Sequence, residues 1–369
     1  MTALTLTARL PTFPWDLLAP YRGKALAHAG GIVDLSIGTP VDPVPAVVRA
    51  ALADAADAPG YPAVQGTDRL REVAAGWLAR RHSVPVEPSA VLPLIGSKEF
   101  IAGLPGLLGC GPGDTVVHPE LAYPTYDIGA RLAGATAVAA DGLSALGPQR
   151  VALVWVNSPG NPTGRVLPPA HLRKMVDWAR EHGAVIAADE CYLDLGWDAE
   201  PVSILHPEVC GGSARGVLAV HSLSKRSNMA GYRAGFVTGD PAIIAGLLET
   251  RRHAGMMMPT PVQAAMAAAL ADDAHAEEQR ARYAARRVRL RAALAAAGWV
   301  TEHSEAGLYL WVRRAGLDCW ASVQLLAEAG ILVAPGEFYG PAGRSHVRVA
   351  LTATDERVDA AVARLAALA

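Results

Sequence analysis

The sequence predicts an α/β protein in which a parallel sheet, flanked by helices on both faces, is closed over by a smaller α+β domain built from both chain ends. Three observations predict it. Short apolar runs bounded by turn residues fall at 150–159, 183–192, 216–225 and 235–239. Between the first two, Leu172, Met175, Val176 and Ala179 share one helix face within 168–182, and a strand, helix, strand alternation implies parallel pairing through right-handed crossovers. Beyond residue 298 the pattern changes. Strand-like pieces at 308–312, 331–334 and 346–351, with a helix at 320–329 between the first two, read as α+β.

Taken in order, the first 42 residues read as an arm and part of the smaller domain, 43–270 as the large domain, and 271–369 as the rest of the smaller one. Gly96-Ser97-Lys98-Glu99 opens a helix running to about Leu108, and the Ala/Arg-rich stretch 261–298 is helical in pattern. Pro and Gly are scattered as turn punctuation, with no repeat, linker or like-charge block. The parts should therefore form one interwoven unit.

Composition narrows the function. The 369 residues carry 33 basic and 35 acidic side chains, a formal charge of -2. That balance argues against nucleic acid or an anionic membrane surface as partner, since both select a strong basic field. No apolar stretch reaches the ~18 residues of a membrane span. Residues 1–14 lack a basic region followed by an apolar core, so the expected location is the cytoplasm. Cys110, Cys191, Cys210 and Cys319 form no CxxC pair. They read as small buried residues, with neither a metal site nor a disulfide framework expected.

In open α/β sheets ligands gather at the carboxyl ends of the strands. The run 150–156 ends in Asn-Ser-Pro-Gly-Asn-Pro-Thr-Gly, 184–188 in Asp-Glu-Cys-Tyr, and 217–221 in Ser-Leu-Ser-Lys. The last of these ends at Lys225, with Ser222 and Ser224 before it and Arg233 eight residues on. An isolated lysine at a strand end is usually solvated. One used as an imine-forming nucleophile needs partial desolvation and a lowered pKa, and two neighbouring hydroxyls suit a phosphate anchor beside it.

In series, Asn-Pro-Thr-Gly, Asp-Glu-Cys-Tyr, Ser-Leu-Ser-Lys and the later arginine resemble the fold-type I pyridoxal-phosphate aminotransferases of class I/II, over nearly the whole chain and in the right order. Within that family, Ser-Leu-Ser-Lys-Arg-Ser-Asn-Met-Ala-Gly-Tyr-Arg-Ala-Gly-Phe is most similar to succinyldiaminopimelate aminotransferases of the actinobacterial type. The resemblance implies a mostly parallel seven-stranded sheet and pyridoxal 5'-phosphate as cofactor. Lys225 would be its covalent tether and, once displaced by substrate, the acid/base that moves the proton.

The other roles follow by resemblance. Asp189 would keep the ring nitrogen protonated; at ~4 Å and an effective dielectric of 20 that pair attracts by roughly 4 kcal/mol before desolvation. Asn161 and Tyr192 would donate to the phenolic oxygen, and Tyr123 would stack on the ring. The backbone of Ser97 and Lys98, the hydroxyls of Ser222 and Ser224, and Arg233 would hold the phosphate. The family usually has a small or polar residue where Lys98 stands. Tyr61, in Gly-Tyr-Pro-Ala, matches a tyrosine donated across a dimer interface, which implies a homodimer with composite sites.

Amino-acid and 2-oxo-acid substrates share a carboxylate, whose planar recognition favours arginine. Arg348 occupies the family's position for that clamp, with Gly38 contributing a backbone N–H and Asn161 nearby. A succinylated ketopimelate would also present a distal carboxylate, for which Arg22, Lys24, Arg226, Arg251 and Arg252 are candidates. The expected reaction is therefore amino transfer from glutamate in lysine and diaminopimelate synthesis. Transamination of aspartate, alanine or an aromatic amino acid, or Cβ–S elimination, would use the same lysine and aspartate. A ligand-sensing regulator would need an added DNA-binding domain, for which the stretch before Gly38 is too short.

Overall fold

The computed structural model describes residues 6, 10–143, 146, 147 and 149–368; most of the first nine residues of the expected arm lie outside the described residues. The strands are β1 (Val33–Asp34), β2 (Val91–Leu94), β3 (Thr115–His118), β4 (Thr136–Ala139), β5 (Val151–Asn157), β6 (Val185–Asp189), β7 (Val217–Ser222) and β8 (Gly235–Gly239), then β9 (Trp299–Glu302), β10 (Tyr309–Arg314), β11 (Ile331–Leu332), β12 (Ala334–Pro335) and β13 (Val347–Ala350).

Seven of them form one sheet in the order β2-β8-β7-β6-β5-β3-β4. β3 to β7 pair in parallel, and β8 runs against both β2 and β7. The connection 223–234 folds back at the sheet's edge after a single helical turn, Leu223–Arg226, and this returns β8 antiparallel. Successive side chains of a strand face opposite ways. Ile186, Ala188, Val217 and Ala219 accordingly enter one core with Trp77, Leu172 and Phe236. Ala187, Leu218 and Val220 enter the other with Phe100, Tyr126 and Trp155. Burial on both faces is why these strands read as unbroken apolar runs. The helix Pro169–Glu181 covers the first core with Leu172, Val176 and Ala179.

A second, antiparallel sheet has the order β12-β13-β10-β9, and β1 pairs in parallel with β11. Its core joins Leu18, Val33 and Leu35 to Leu310, Trp311, Leu326, Val349 and Leu365, so residues from the two ends of the chain pack together. The arrangement brings the segment 36–38 and strand β13 over the carboxyl ends of β5, β6 and β7.

Three expectations need correction. The stretch 261–298 is two helices, Thr260–Ala271 and Ala274–Ala296. Asp272 takes an extended backbone and its carboxylate accepts from Ala274 N at 3.0 Å, an alternative to helical pairing that short acidic side chains favour. The piece 331–334 is split, with β11 and β12 in different sheets on either side of Val333. Of the cysteines, Cys210 and Cys319 are buried, whereas Cys110 and Cys191 are only partly so. Among the described residues no helix is long and apolar enough to cross a membrane.

Candidate active site

Lys225 lies in the helical turn that follows β7. The hydroxyl of Ser222 caps that turn by accepting from Ser224 N at 3.2 Å. The Lys225 ammonium donates to the carbonyl of Gly38. Burial, aided by Arg348 and Arg233, pulls its pKa below that of an ordinary lysine, the direction a nucleophilic amine requires.

Asp189 ends β6 with its carboxylate buried. It accepts from Tyr126 OH at 2.9 Å and Cys191 N at 3.2 Å. Burial nevertheless pushes it above the usual carboxylate range, because among the described residues no cationic side chain pairs with it. Asn157 ties the strand ends together, donating from Nδ2 to the Asp189 carbonyl at 2.9 Å and accepting from Asn161 N at 2.7 Å.

The anion cradle is built where the helix Ser97–Leu107 starts. Gly96 precedes it with φ 93° and no side chain caps the first turn, leaving amide N–H groups free for an anion. A Cβ at Gly96 would fall 2.6 Å from Arg233 Cζ and push that guanidinium from its place, and the positive φ itself favours glycine. At Gly235 a Cβ would lie 3.6 Å from Ser97 N and 3.7 Å from Ser222 Cα, which shows how closely the helix start approaches β7. The hydroxyls of Ser222 and Ser224 are 3.0 Å apart. Lys98 is exposed, and its ammonium stands 5.9 Å over the ring of Phe13.

Opposite the cradle, Arg348 of β13 is 3% exposed. It donates to Asn161 Oδ1 at 2.9 Å and to the Ser36 carbonyl at 2.6 Å, while its Nε has no partner among the described residues. Because Oδ1 of Asn161 faces Arg348, the amide nitrogen is directed elsewhere. The Arg348 guanidinium lies 3.9 Å from the centroid of the Tyr309 ring and 4.8 Å from that of Tyr339. Tyr192 OH is 3.1 Å from Tyr309 OH, and burial holds the Tyr192 phenol well above its ordinary pKa. Burial also pushes Tyr123 up to about 12; it precedes the helix Thr125–Ala133 and packs edge-on against Tyr126.

The chain thus gathers Lys225, Asp189, Asn161, Tyr192, Tyr123, Gly38, Arg348, Ser97, Ser222, Ser224 and Arg233 around one centre. Tyr61 is not among them: it is 96% exposed on its own chain. Among the distal-carboxylate candidates, Arg226 is buried against Asp194 at 2.6 Å, and Arg251 is fully buried 3.5 Å from Glu99. Both have protein acids as partners and are corrected out of that role. Arg22 pairs with Asp34, Lys24 with Glu328 and Arg252 with Glu249, all at the surface. Sequence reading missed Tyr126, Asn157, Ser36 and Tyr309, whose polar ends only the tertiary pairing directs at this centre.

These residues fit a phosphorylated pyridine aldehyde. The uncapped helix start and hydroxyls suit its phosphate, the cation-less buried carboxylate suits a ring N–H⁺, and the desolvated amine suits its carbonyl carbon. The family model for aminotransferase class I and II matches residues 31–365. A protein named Probable aminotransferase from Mycobacterium tuberculosis is 63% identical over 98% of this chain and 86% of its own. The 4-dedimethylamino-4-oxo-anhydrotetracycline transaminase of Streptomyces rimosus is 61% identical over 96% of this chain and 99% of its own. Among solved structures, one titled probable N-succinyldiaminopimelate aminotransferase from Thermus thermophilus superposes with a TM-score of 0.86 at 30% identity, covering 97% of this chain and all of the other. This chain belongs to the class I and II aminotransferases, enzymes that use pyridoxal phosphate to move an amino group between amino and 2-oxo acids.

Proposed function

We propose that this aminotransferase interconverts an N-succinylated diaminopimelate and its 2-oxo form, with glutamate and 2-oxoglutarate as the other pair. The observation that carries substrate binding is Arg348. It is a fully desolvated guanidinium with an unpartnered Nε, held between a backbone carbonyl and Asn161 beside the reactive amine. The likeness of the 222–236 segment to succinyldiaminopimelate aminotransferases and the Thermus thermophilus structure support the acceptor.

Pyridoxal phosphate supplies an electron sink that makes the substrate Cα acidic. Lys225 holds the cofactor and, when a substrate amine takes its place, carries the proton from Cα at its free Nζ. Asp189 keeps the ring nitrogen protonated. Asn161 and Tyr192 donate to the phenolic oxygen, and Tyr123 covers the ring. Ser97, Lys98 through its backbone, Ser222, Ser224 and Arg233 hold the phosphate. Arg348, Asn161 and the backbone of Gly38 bind the substrate carboxylate. Tyr61 reaches the phosphate of a second copy, so that the working enzyme is a cytoplasmic homodimer with shared sites. The divisions 1–42, 43–270 and 271–369 belong to the same reading.

A second reading keeps glutamate as donor and takes a ketone on a fused polycycle as acceptor. The 61% identity to the Streptomyces rimosus enzyme favours it. Half-reaction assays separate the two. The glutamate-loaded enzyme is offered N-succinyl-2-amino-6-oxopimelate or the anhydrotetracycline ketone, and return of the visible band is followed. Rapid turnover of the first is expected; turnover of the second alone would replace it.

A further inference from the structure

We propose that Tyr309 is a positioning residue that joins the carboxylate clamp to the cofactor-facing donor Tyr192, its hydroxyl directing the Tyr192 proton and its ring seating Arg348. This rests on the reading of Tyr192 as a donor to the cofactor's phenolic oxygen.

The geometry is specific. Tyr309 begins β10, which pairs with β13 in the register Trp311 opposite Arg348 and Tyr309 opposite Ala350. Two residues apart on the same strand face, Trp311 is level with Arg348 and Tyr309 is its diagonal neighbour, within reach of a long side chain. The Arg348 guanidinium therefore sits over the Tyr309 ring at 3.9 Å, a cation–π contact strengthened by the absence of solvent. The same ring is 5% exposed and lies against Gly38, where a Cβ would come within 2.9 Å of Tyr309 Cε1 and Cζ. Gly38 in turn accepts from the Lys225 ammonium. One side chain thus touches the clamp, the loop under the amine, and Tyr192.

The hydroxyl pair sets a direction. At 3.1 Å one of the two phenols donates to the other. If Tyr192 donates to Tyr309, its only proton is used. If Tyr309 donates, Tyr192 keeps its proton for a third group and becomes a stronger donor through polarisation of the chain. Burial, with Tyr309 beside it, keeps Tyr192 protonated. Arg348 and Cys191 also face Tyr192, while Arg348, Lys225, Tyr123, Tyr283 and Tyr339 face Tyr309. No carboxylate is among these groups to accept the Tyr309 proton instead.

The test uses the cofactor-loaded enzyme and reads the pH midpoint of its visible absorption band, with kcat and KM for glutamate alongside. Tyr309→Phe keeps the ring, so KM should change less than about threefold, while the midpoint rises by about half a pH unit as one net hydrogen bond is lost. Tyr309→Leu removes the ring and should raise KM about tenfold. Tyr192→Phe should raise the midpoint, and adding Tyr309→Phe to it should move the midpoint no further, because the second hydroxyl acts through the first. Additive shifts, or an unmoved midpoint in Tyr309→Phe beside a shifted one in Tyr192→Phe, would overturn the coupling alone. An unmoved midpoint in Tyr192→Phe would overturn the role of Tyr192 and the coupling with it. A melting temperature lowered with no midpoint change would show Tyr309 to be packing only.

Discussion

Asp189 and Glu190 are adjacent and both buried, yet they stand on opposite faces of the sheet in differently furnished surroundings. On the Glu190 side the protein sets a basic side chain beside each acid, although Glu190 Oε2 and both ring nitrogens of His221 lack a hydrogen-bond partner among the described residues. Glu190 accepts from Ile204 N at 2.6 Å and lies 3.6 Å from His221, while Asp194 pairs with Arg226 at 2.6 Å and His82 at 3.1 Å. Burial pushes Glu190 up to about 8 and His221 down to about 3, so that pair is neutral near pH 7. Against the opposing effect of burial, His82 and Arg226 hold Asp194 below the usual carboxylate range. On the Asp189 side two neutral donors serve a carboxylate and, among the described residues, no cation does. Two buried acids one residue apart show the same cost resolved differently: one region is self-neutralised, whereas the other, on the function proposed above, is left to be completed by a cationic ring.

The largest effects should fall on the incomplete side. Lys225→Ala should lower kcat at least ~10³-fold, in line with loss of both acid/base and nucleophile. Borohydride treatment followed by peptide mapping should find the reduced adduct on Lys225 and nowhere else. Asp189→Asn removes an attraction of roughly 4 kcal/mol and should cost about 10³-fold in kcat. Glu190→Gln on the opposite face should leave kcat within about threefold. Equal losses in these two variants would break the comparison.

Next in size is the substrate clamp. Arg348→Ala should raise KM for glutamate about 100-fold with a smaller change in kcat, as expected when charge-assisted hydrogen bonds to a substrate are lost. Steady-state kinetics with glutamate and with an amine lacking a carboxylate check this: the variant should lose discrimination between them.

The self-neutralised side should answer in stability instead. Arg226→Ala leaves Asp194 with His82 as its remaining partner and should cost about 3 kcal/mol in denaturant unfolding. The smallest effect is a slope. Glu190 holds its proton up to about 8 when folded but only to 4.5 when unfolded, so stability falls as pH rises through that interval. His221 acts the other way, but only below its ordinary value of 6.5. Between pH 6.5 and 8 the Glu190 contribution stands alone, with a slope of up to about 1.4 kcal/mol per pH unit. Glu190→Gln should flatten it; an unchanged slope would mean that Glu190 is ionised in the fold.

The candidate site was legible where polar residues interrupt apolar strands. Lys225, Asp189 and Asn161 stand at strand ends, where a sequence changes character abruptly. Tyr309 was not legible, because it lies within an apolar run and gains its meaning only from β10 pairing with β13. Tyr126 looks like a core residue of its helix until its hydroxyl is traced to Asp189. Arg226 misleads in the other direction, since the acid that neutralises it is thirty-two positions upstream. The fold shows the same division. The longer central strands declare themselves by continuous apolar sequence, whereas β2, β3 and β4 have four residues each and carry too short a pattern to register.

The connection 223–234 carries both Lys225 and Arg233 on one short piece of backbone between two hydrogen-bonded strands. With Lys225 as tether and Arg233 as phosphate anchor, as proposed above, a residue inserted or deleted there would displace both together. Arg348, Tyr309 and Gly38 come instead from the two ends of the chain. On the reading proposed above, exchanging an N-succinylated pimelate for a fused-ring ketone would call for changes at those ends and leave the residues that hold the cofactor untouched.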